Sequence, residues 1–132
     1  MGEDFAWPSG LKLTEGVVPM KELRGSLKKH HHRDHLLSGR GKRHVWVNDV
    51  DGCLYYAKNE RDSKHKKVCA LNEITNISMG HNMWDKAEIK CFILTHGRAD
   101  DPKSMVFTAD DREGACMWVN QIMLRIRRFP KS

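Results

Sequence analysis

Between Lys28 and His44 the chain carries six Lys/Arg residues, namely Lys28, Lys29, Arg33, Arg40, Lys42 and Arg43, against one acid, Asp34. Five of its eight histidines (His30, His31, His32, His35 and His44) fall in the same stretch. The whole chain has a net charge of +6, from 23 Lys+Arg and 17 Asp+Glu, so this segment at +5 holds nearly all of it. Such residues recognise polyanions through charge-assisted hydrogen bonds, and they do so more strongly below pH 7, where His gains charge. Three partners carry suitable charge: a phosphorylated membrane surface, nucleic acid, or an acidic protein. Leu36-Leu37 within the segment favours the membrane. Two leucines inserted below the phosphate plane are worth about 3–5 kcal/mol, and each flanking Lys/Arg about 1 kcal/mol. Nucleic acid is not expected, because the segment lacks the interleaved aromatic side chains on which bases stack.

Other chemistries lack their residues. Adjacent histidines in an extended segment point to opposite sides, so His30-His31-His32 with His35 is not expected to hold a functional metal. The four cysteines (Cys53, Cys69, Cys91, Cys116) are 16, 22 and 25 residues apart with no CxxC pair, and read as reduced thiols of an intracellular protein. The chain has no Gly-rich phosphate loop before a helix, no GxSxG, no HExxH and no Cys/His pair at a recognisable spacing. Neither an enzyme nor a cofactor is expected.

The elements that must hold the cationic segment are mostly strands. With 132 residues, 39% hydrophobic and 30% charged, the chain fits one globular domain. No apolar run is long enough to span a bilayer, and no secretory leader is expected. Residues 1–20 read as a flexible extension, in which Trp7-Pro8-Ser9-Gly10 marks a turn. Met1-Gly2 invites N-myristoylation, but Ala6 stands where that motif wants Ser or Thr.

Seven short β-type runs follow: 22–29, 44–48, 53–57, 67–71, 73–78, 87–95 and 104–108, with a tight turn expected at Asp49-Val50-Asp51-Gly52. The period then changes. Ala115, Trp118, Val119, Ile122, Ile126 and Phe129 make one helical stripe, with Asp110 and Glu113 spaced as a capping box and Pro130 as the stop. Trp118, Trp46, Phe92 and Phe107 are expected in the core, and Trp84 packed in a loop. A helix with one apolar stripe must bury it against a sheet. The fold class is mainly β with one helix (α+β): a seven-stranded antiparallel barrel or sandwich, capped by the C-terminal helix, over residues 21–130.

Five pieces in order resemble the pleckstrin homology (PH) domain: Gly25-Ser26-Leu27-Lys28-Lys29, Lys42-Arg43-His44-Val45-Trp46-Val47, Asp51-Gly52-Cys53-Leu54-Tyr55-Tyr56-Ala57-Lys58, Asp111-Arg112-Glu113, and Trp118 in the last helix. The resemblance implies two near-orthogonal sheets closed by a helix. It also implies lipid-binding positions at Lys28, Lys42, Tyr56 and Lys66, with the strand-two anchor falling on His44. A member that binds multiply phosphorylated inositides has Arg at that anchor. His44 lacks the bidentate fork, and Arg43 is expected on the opposite face. A stand-alone domain on so short a chain also resembles the acylated PH proteins of apicomplexan parasites, which implies phosphatidic acid sensing.

The reading is thus a monomeric, cytoplasmic, peripheral membrane-targeting module for anionic phospholipid headgroups, with phosphatidic acid favoured. Lys28, Lys29, Arg33, Arg40, Lys42, Arg43, His44, Tyr56 and Lys66 would hold the headgroup, and Leu36 and Leu37 would insert. A phosphoinositide-binding domain and a protein-interaction scaffold without specific lipid binding are the alternatives.

Overall fold

The computed structural model describes residues 20–31, 41–80 and 90–128. The cationic residues Arg33 and Arg40, the inserting pair Leu36-Leu37, the histidines His32 and His35, and the residues Trp84, Phe129 and Pro130 lie outside them.

Seven strands and one long helix form in the order expected: β1 (Arg24–His31), β2 (Lys42–Asn48), β3 (Cys53–Ala57), β4 (His65–Ala70), β5 (Ile74–Gly80), β6 (Cys91–Arg98), β7 (Asp101–Thr108) and α1 (Arg112–Arg128). Every neighbouring pair is antiparallel, in the order β4-β3-β2-β1-β7-β6-β5. The ladders run as one continuous sheet rather than two separate ones because β1 serves both sides. Its Arg24–Lys28 half pairs with β2, and its Lys28–His31 half pairs with β7.

One face of this sheet is apolar and wraps the core. Leu23, Leu27, Val45, Val47, Leu54, Ile77, Phe92, Leu94 and Phe107 are all buried there. The helical stripe Ala115, Trp118, Val119 and Ile122 is buried against them, and α1 contacts β5 and β6 as well as the short 3₁₀ turn at Leu71–Glu73. Phe92 and Phe107, opposite one another on β6 and β7, stack at 5.4 Å. Burying an aromatic or aliphatic side chain of this size is worth roughly 1.5–3 kcal/mol, so this shared core is what holds helix to sheet. Gly25 lies beneath Trp118: a Cβ there would stand in contact with the indole, at 3.4 Å.

Two expectations are corrected. Trp46 is half-buried on the outer face of β2, because it stands between the inward-facing Val45 and Val47 and successive strand residues alternate. The helix is capped by Asp111 and not Asp110. Asp111 Oδ1 accepts the Gly114 amide at 2.7 Å, while Asp110 reaches back to Lys42 at 3.6 Å.

The turn between β2 and β3 follows from its sequence. Asn48 Oδ1 accepts the Val50 and Asp51 amides, Asp51 Oδ1 accepts the Cys53 amide, and Gly52 takes φ 70°, where a Cβ is disfavoured.

Candidate cationic site on the inner face

The phase set by the buried residues decides where the cations go. Leu23, just before β1, and Gly25 and Leu27 within it face inward, so Lys29 does too. In β2, Val45 and Val47 face inward, and Arg43, paired across the ladder with the buried Leu27, shares their face. Tyr56 pairs with Val45 and packs against the core, and Lys66 pairs with Tyr56. The bulge between Leu54 and Tyr55 keeps β4 in phase, so that Lys66 stands inward and Lys67, opposite Tyr55, outward. Four candidate side chains from four strands therefore share one face, at the strand ends nearest the β1–β2 connection.

Their depths differ. Lys29 is only 7% exposed, with Nζ 4.4 Å from the Tyr56 ring centroid. A buried ammonium costs free energy unless something replaces its water, and the ring face does part of this. Arg43 is half-buried, and its Nη1 donates to the Lys42 carbonyl at 3.1 Å, the one hydrogen bond of its guanidinium among the described residues. A Cβ at Gly41 would lie 2.7 Å from that nitrogen, so glycine leaves room for the guanidinium. Lys66 is exposed at the rim. Three cations of different depth share the face that carries the Tyr56 ring, an arrangement that suits a phosphate-bearing anion entering from the strand ends.

Among the described residues, the other sequence-predicted positions, Lys28, Lys42 and His44, do not join this site. Lys28 and Lys42, opposite one another, are exposed on the outer face. His44 is paired with Ser26, lies on the outer face, and rests against Trp46 at 5.5 Å between ring centroids. The expected faces of His44 and Arg43 are thereby exchanged: Arg43 shares the inward face with Leu27, and His44 lies outward with Ser26.

Sequence reasoning missed the outer cluster completed by Tyr55 and His65, whose ring centroids lie 5.2 Å apart. Counting by twos from the buried valines would have found it. Among the described residues no group of His, Cys, Asp and Glu is placed to hold a metal ion, and no helix is long and apolar enough to cross a membrane. Of the cysteines, Cys69 is pushed up to about 12 by burial, away from thiolate chemistry at neutral pH.

A second polar centre is structural. Arg125 is fully buried on α1; its Nε donates to Asp49 Oδ1 at 2.9 Å, its Nη1 to Gln121 Oε1 at 3.0 Å and its Nη2 to the Met20 carbonyl at 2.7 Å. Gln121 Oε1 also accepts the Met20 amide at 2.8 Å.

The comparisons agree with this architecture. A family model for the PH domain matches residues 19–127. Among solved structures, the chain is similar to the human PH domain of oxysterol-binding protein-related protein 11, with TM-score 0.62 and 21% identity over 83% of this chain and 82% of that one. It is similar to the human PH domain of TBC1 domain family member 2, with TM-score 0.62 and 16% identity over 88% and 89%. The human PH domain of pleckstrin homology domain-containing family A member 5 gives TM-score 0.60 and 16% identity over 96% and 94%. No curated protein matches the chain. At these identities the structural likeness concerns the fold alone.

Proposed function

This chain belongs to the PH-domain family, and from that premise we propose that it is a non-enzymatic, peripheral module docking phosphorylated lipid headgroups on a cytosolic membrane face. PH domains commonly serve as membrane or protein interaction modules. The observation that supports the membrane reading is that Lys29, which lies on the Tyr56 ring, shares the inner face with Arg43 and Lys66. Residues 21–130 are the working unit. Arg33, Arg40, Leu36 and Leu37 belong to the same proposed surface by sequence.

The expected preference for phosphatidic acid loses its main support. It rested on His44 at the anchor and Arg43 turned away, whereas Arg43 shares the inward face with Leu27. A guanidinium offers a planar fork, and two ammonium groups at other depths can meet further phosphates. That set suits a headgroup bearing several phosphates, so the phosphoinositide alternative is the better supported lipid class.

Co-sedimentation of the full chain with vesicles matched for total charge tests both levels. Phosphatidylinositol bisphosphate is expected to bind more tightly than phosphatidic acid, with Arg43→Ala abolishing the difference. Tighter binding of phosphatidic acid would restore that lipid assignment. Equal binding to anionic and neutral vesicles would sink the membrane reading and leave the protein-scaffold alternative.

A further inference from the structure

β4 closes one edge of the sheet: among the described residues it pairs with β3 and with no strand beyond. Backbone amides and carbonyls along a strand point to alternate sides, so every second residue of β4 turns its pair of groups away from β3. Such an edge is a template for one more strand. It is also cationic. Lys66 and Lys67 stand exposed on β4, and Lys58, Arg61 and Lys64 in the connection before it, against Glu60 and Asp62. Among the described residues none of these five cations is in an ion pair.

The register fixes what an added strand would meet. Lys66, paired with Tyr56, faces inward, and Lys67, paired with Tyr55, faces outward. A strand laid beside them answers both only if it carries two acids in succession, one for each face. His65 faces outward again, paired with Ala57, which pairs in turn with His44. Its ring meets Tyr55 edge-on at 5.2 Å, and Tyr55 stacks on Trp46 at 5.8 Å. The position beside His65 thus extends a row of rings and suits an aromatic residue. Past Lys67 the ladder shifts register at Leu54 and Tyr55, which bends the edge and keeps the match short.

We infer that the β4 edge takes up an extended acidic segment of a partner protein as a further antiparallel strand. Read from its N-terminal side, that segment has two acids and then an aromatic residue, beside Lys67, Lys66 and His65 in turn. Charge selects this occupant. A second copy of the chain pairing β4 with β4 would bring lysines together, and the opposite edge, β5, has no charged residue to offer them. The antiparallel sense continues that of every pair in the sheet. The edge is distinct from the inner site: Lys66 borders both, whereas Lys67 belongs to the edge alone.

The test is a nuclear magnetic resonance titration of the full, isotopically labelled chain with the capped peptide Thr-Val-Glu-Glu-Tyr-Thr. Amide shifts should cluster on β4 and its neighbours on β3, and the outward β4 amides should exchange more slowly with peptide bound. Two further peptides carry N-methyl groups on alternate residues, one in each phase, which removes backbone donors and leaves every charge. One phase should bind about tenfold more weakly and the other nearly as well as the parent, because a strand bonds to one side at every second residue. Lys67→Glu should weaken the parent peptide about fivefold or more, with circular dichroism unchanged. A peptide with lysine in place of the first glutamate should restore binding to that variant.

Two N-methyl phases that bind alike overturn the inference, since charge alone would then account for the binding. So does a parent peptide that does not bind, or one whose shifts centre on another element. Binding lost in Arg43→Glu but kept in Lys67→Glu would put the acidic segment on the inner face and remove it from the edge.

Discussion

The ammonium of Lys29 lies 4.4 Å from the centre of the Tyr56 ring, on a side chain that is almost wholly buried. Among the described residues its charge is matched by a ring face rather than by a carboxylate. This costs the folded state free energy that a ligand's phosphate would return. Lys29→Met, unbranched, uncharged and one atom shorter, should therefore raise thermal stability by about 1 kcal/mol while weakening vesicle binding at least tenfold. Thermal melts and co-sedimentation on the same preparation check the two signs. A variant both less stable and fully binding would show that the lysine is there for packing.

Arg43 and His44 differ by one residue and by a whole face. Arg43→Ala should lower affinity for phosphoinositide vesicles by roughly 10-fold or more, the worth of a charged hydrogen-bonding pair. His44→Ala, on the outer face opposite Ser26, should change it by less than about twofold. Equal losses from both would mean that the inner face is not the headgroup site.

Arg125 is fully buried and bridges Asp49, Gln121 and Met20. Arg125→Ala removes one partner of a buried ion pair and should cost about 3 kcal/mol, which for a domain of this size lowers Tm by roughly 10 °C. Arg125→Lys recovers only part, because an ammonium cannot reach three acceptors in a plane. Differential scanning calorimetry of the two variants reads both numbers. A melt unchanged by Arg125→Ala would remove the bridge from the account of stability.

The Tyr55 hydroxyl donates to Asp51 at 2.6 Å, and this hydrogen bond pushes its pKa up to about 12. The shift is upward, so its contribution to stability is complete below the ordinary tyrosine value near 10 and disappears as pH rises through about 12. A spectrophotometric titration should show one tyrosine ionising late. In Tyr55→Phe or Asp51→Asn that late step should be absent.

His96 pairs with Ile74 and Lys103 across the sheet, and burial holds its pKa below the usual histidine value. A depressed histidine favours folding above its unfolded pKa, so stability should decline as pH falls below about 6.5. His96→Gln should flatten that slope in urea titrations from pH 7.5 to pH 5.5. An unchanged slope would place the acid sensitivity elsewhere.

Much of this was legible in the sequence. The strands of β2 and β3, the turn at Asn48–Gly52 and the helical stripe from Ala115 to Ile122 each follow from local patterns, and each stands where expected. What failed was phase. A period of two says which residues share a face but not which face is wet, and taking Trp46 for a core residue turned β2 inside out. Val45 and Val47 held the right answer, because the only alternation consistent with two buried valines sends Arg43 inward. The aromatic floor of Trp46, Tyr55 and His65 spans three strands, so it depends on a register that no single strand contains. The capping aspartate was missed by one position, since Asp110 and Asp111 are chemically alike and only the helix start separates them.

The grip of Arg125 and Gln121 on both the amide and the carbonyl of Met20 also sets how the molecule bears a load. Tension arriving along the backbone from the N-terminal side meets Met20 before it meets β1. Two side chains of α1 would take it up, and through Asp49 the β2–β3 turn would share it. The first ladder hydrogen bonds of β1 are shielded from being unzipped one at a time. A pull from that side would therefore have to draw a buried guanidinium toward water before β1 opens, a failure that is abrupt rather than gradual.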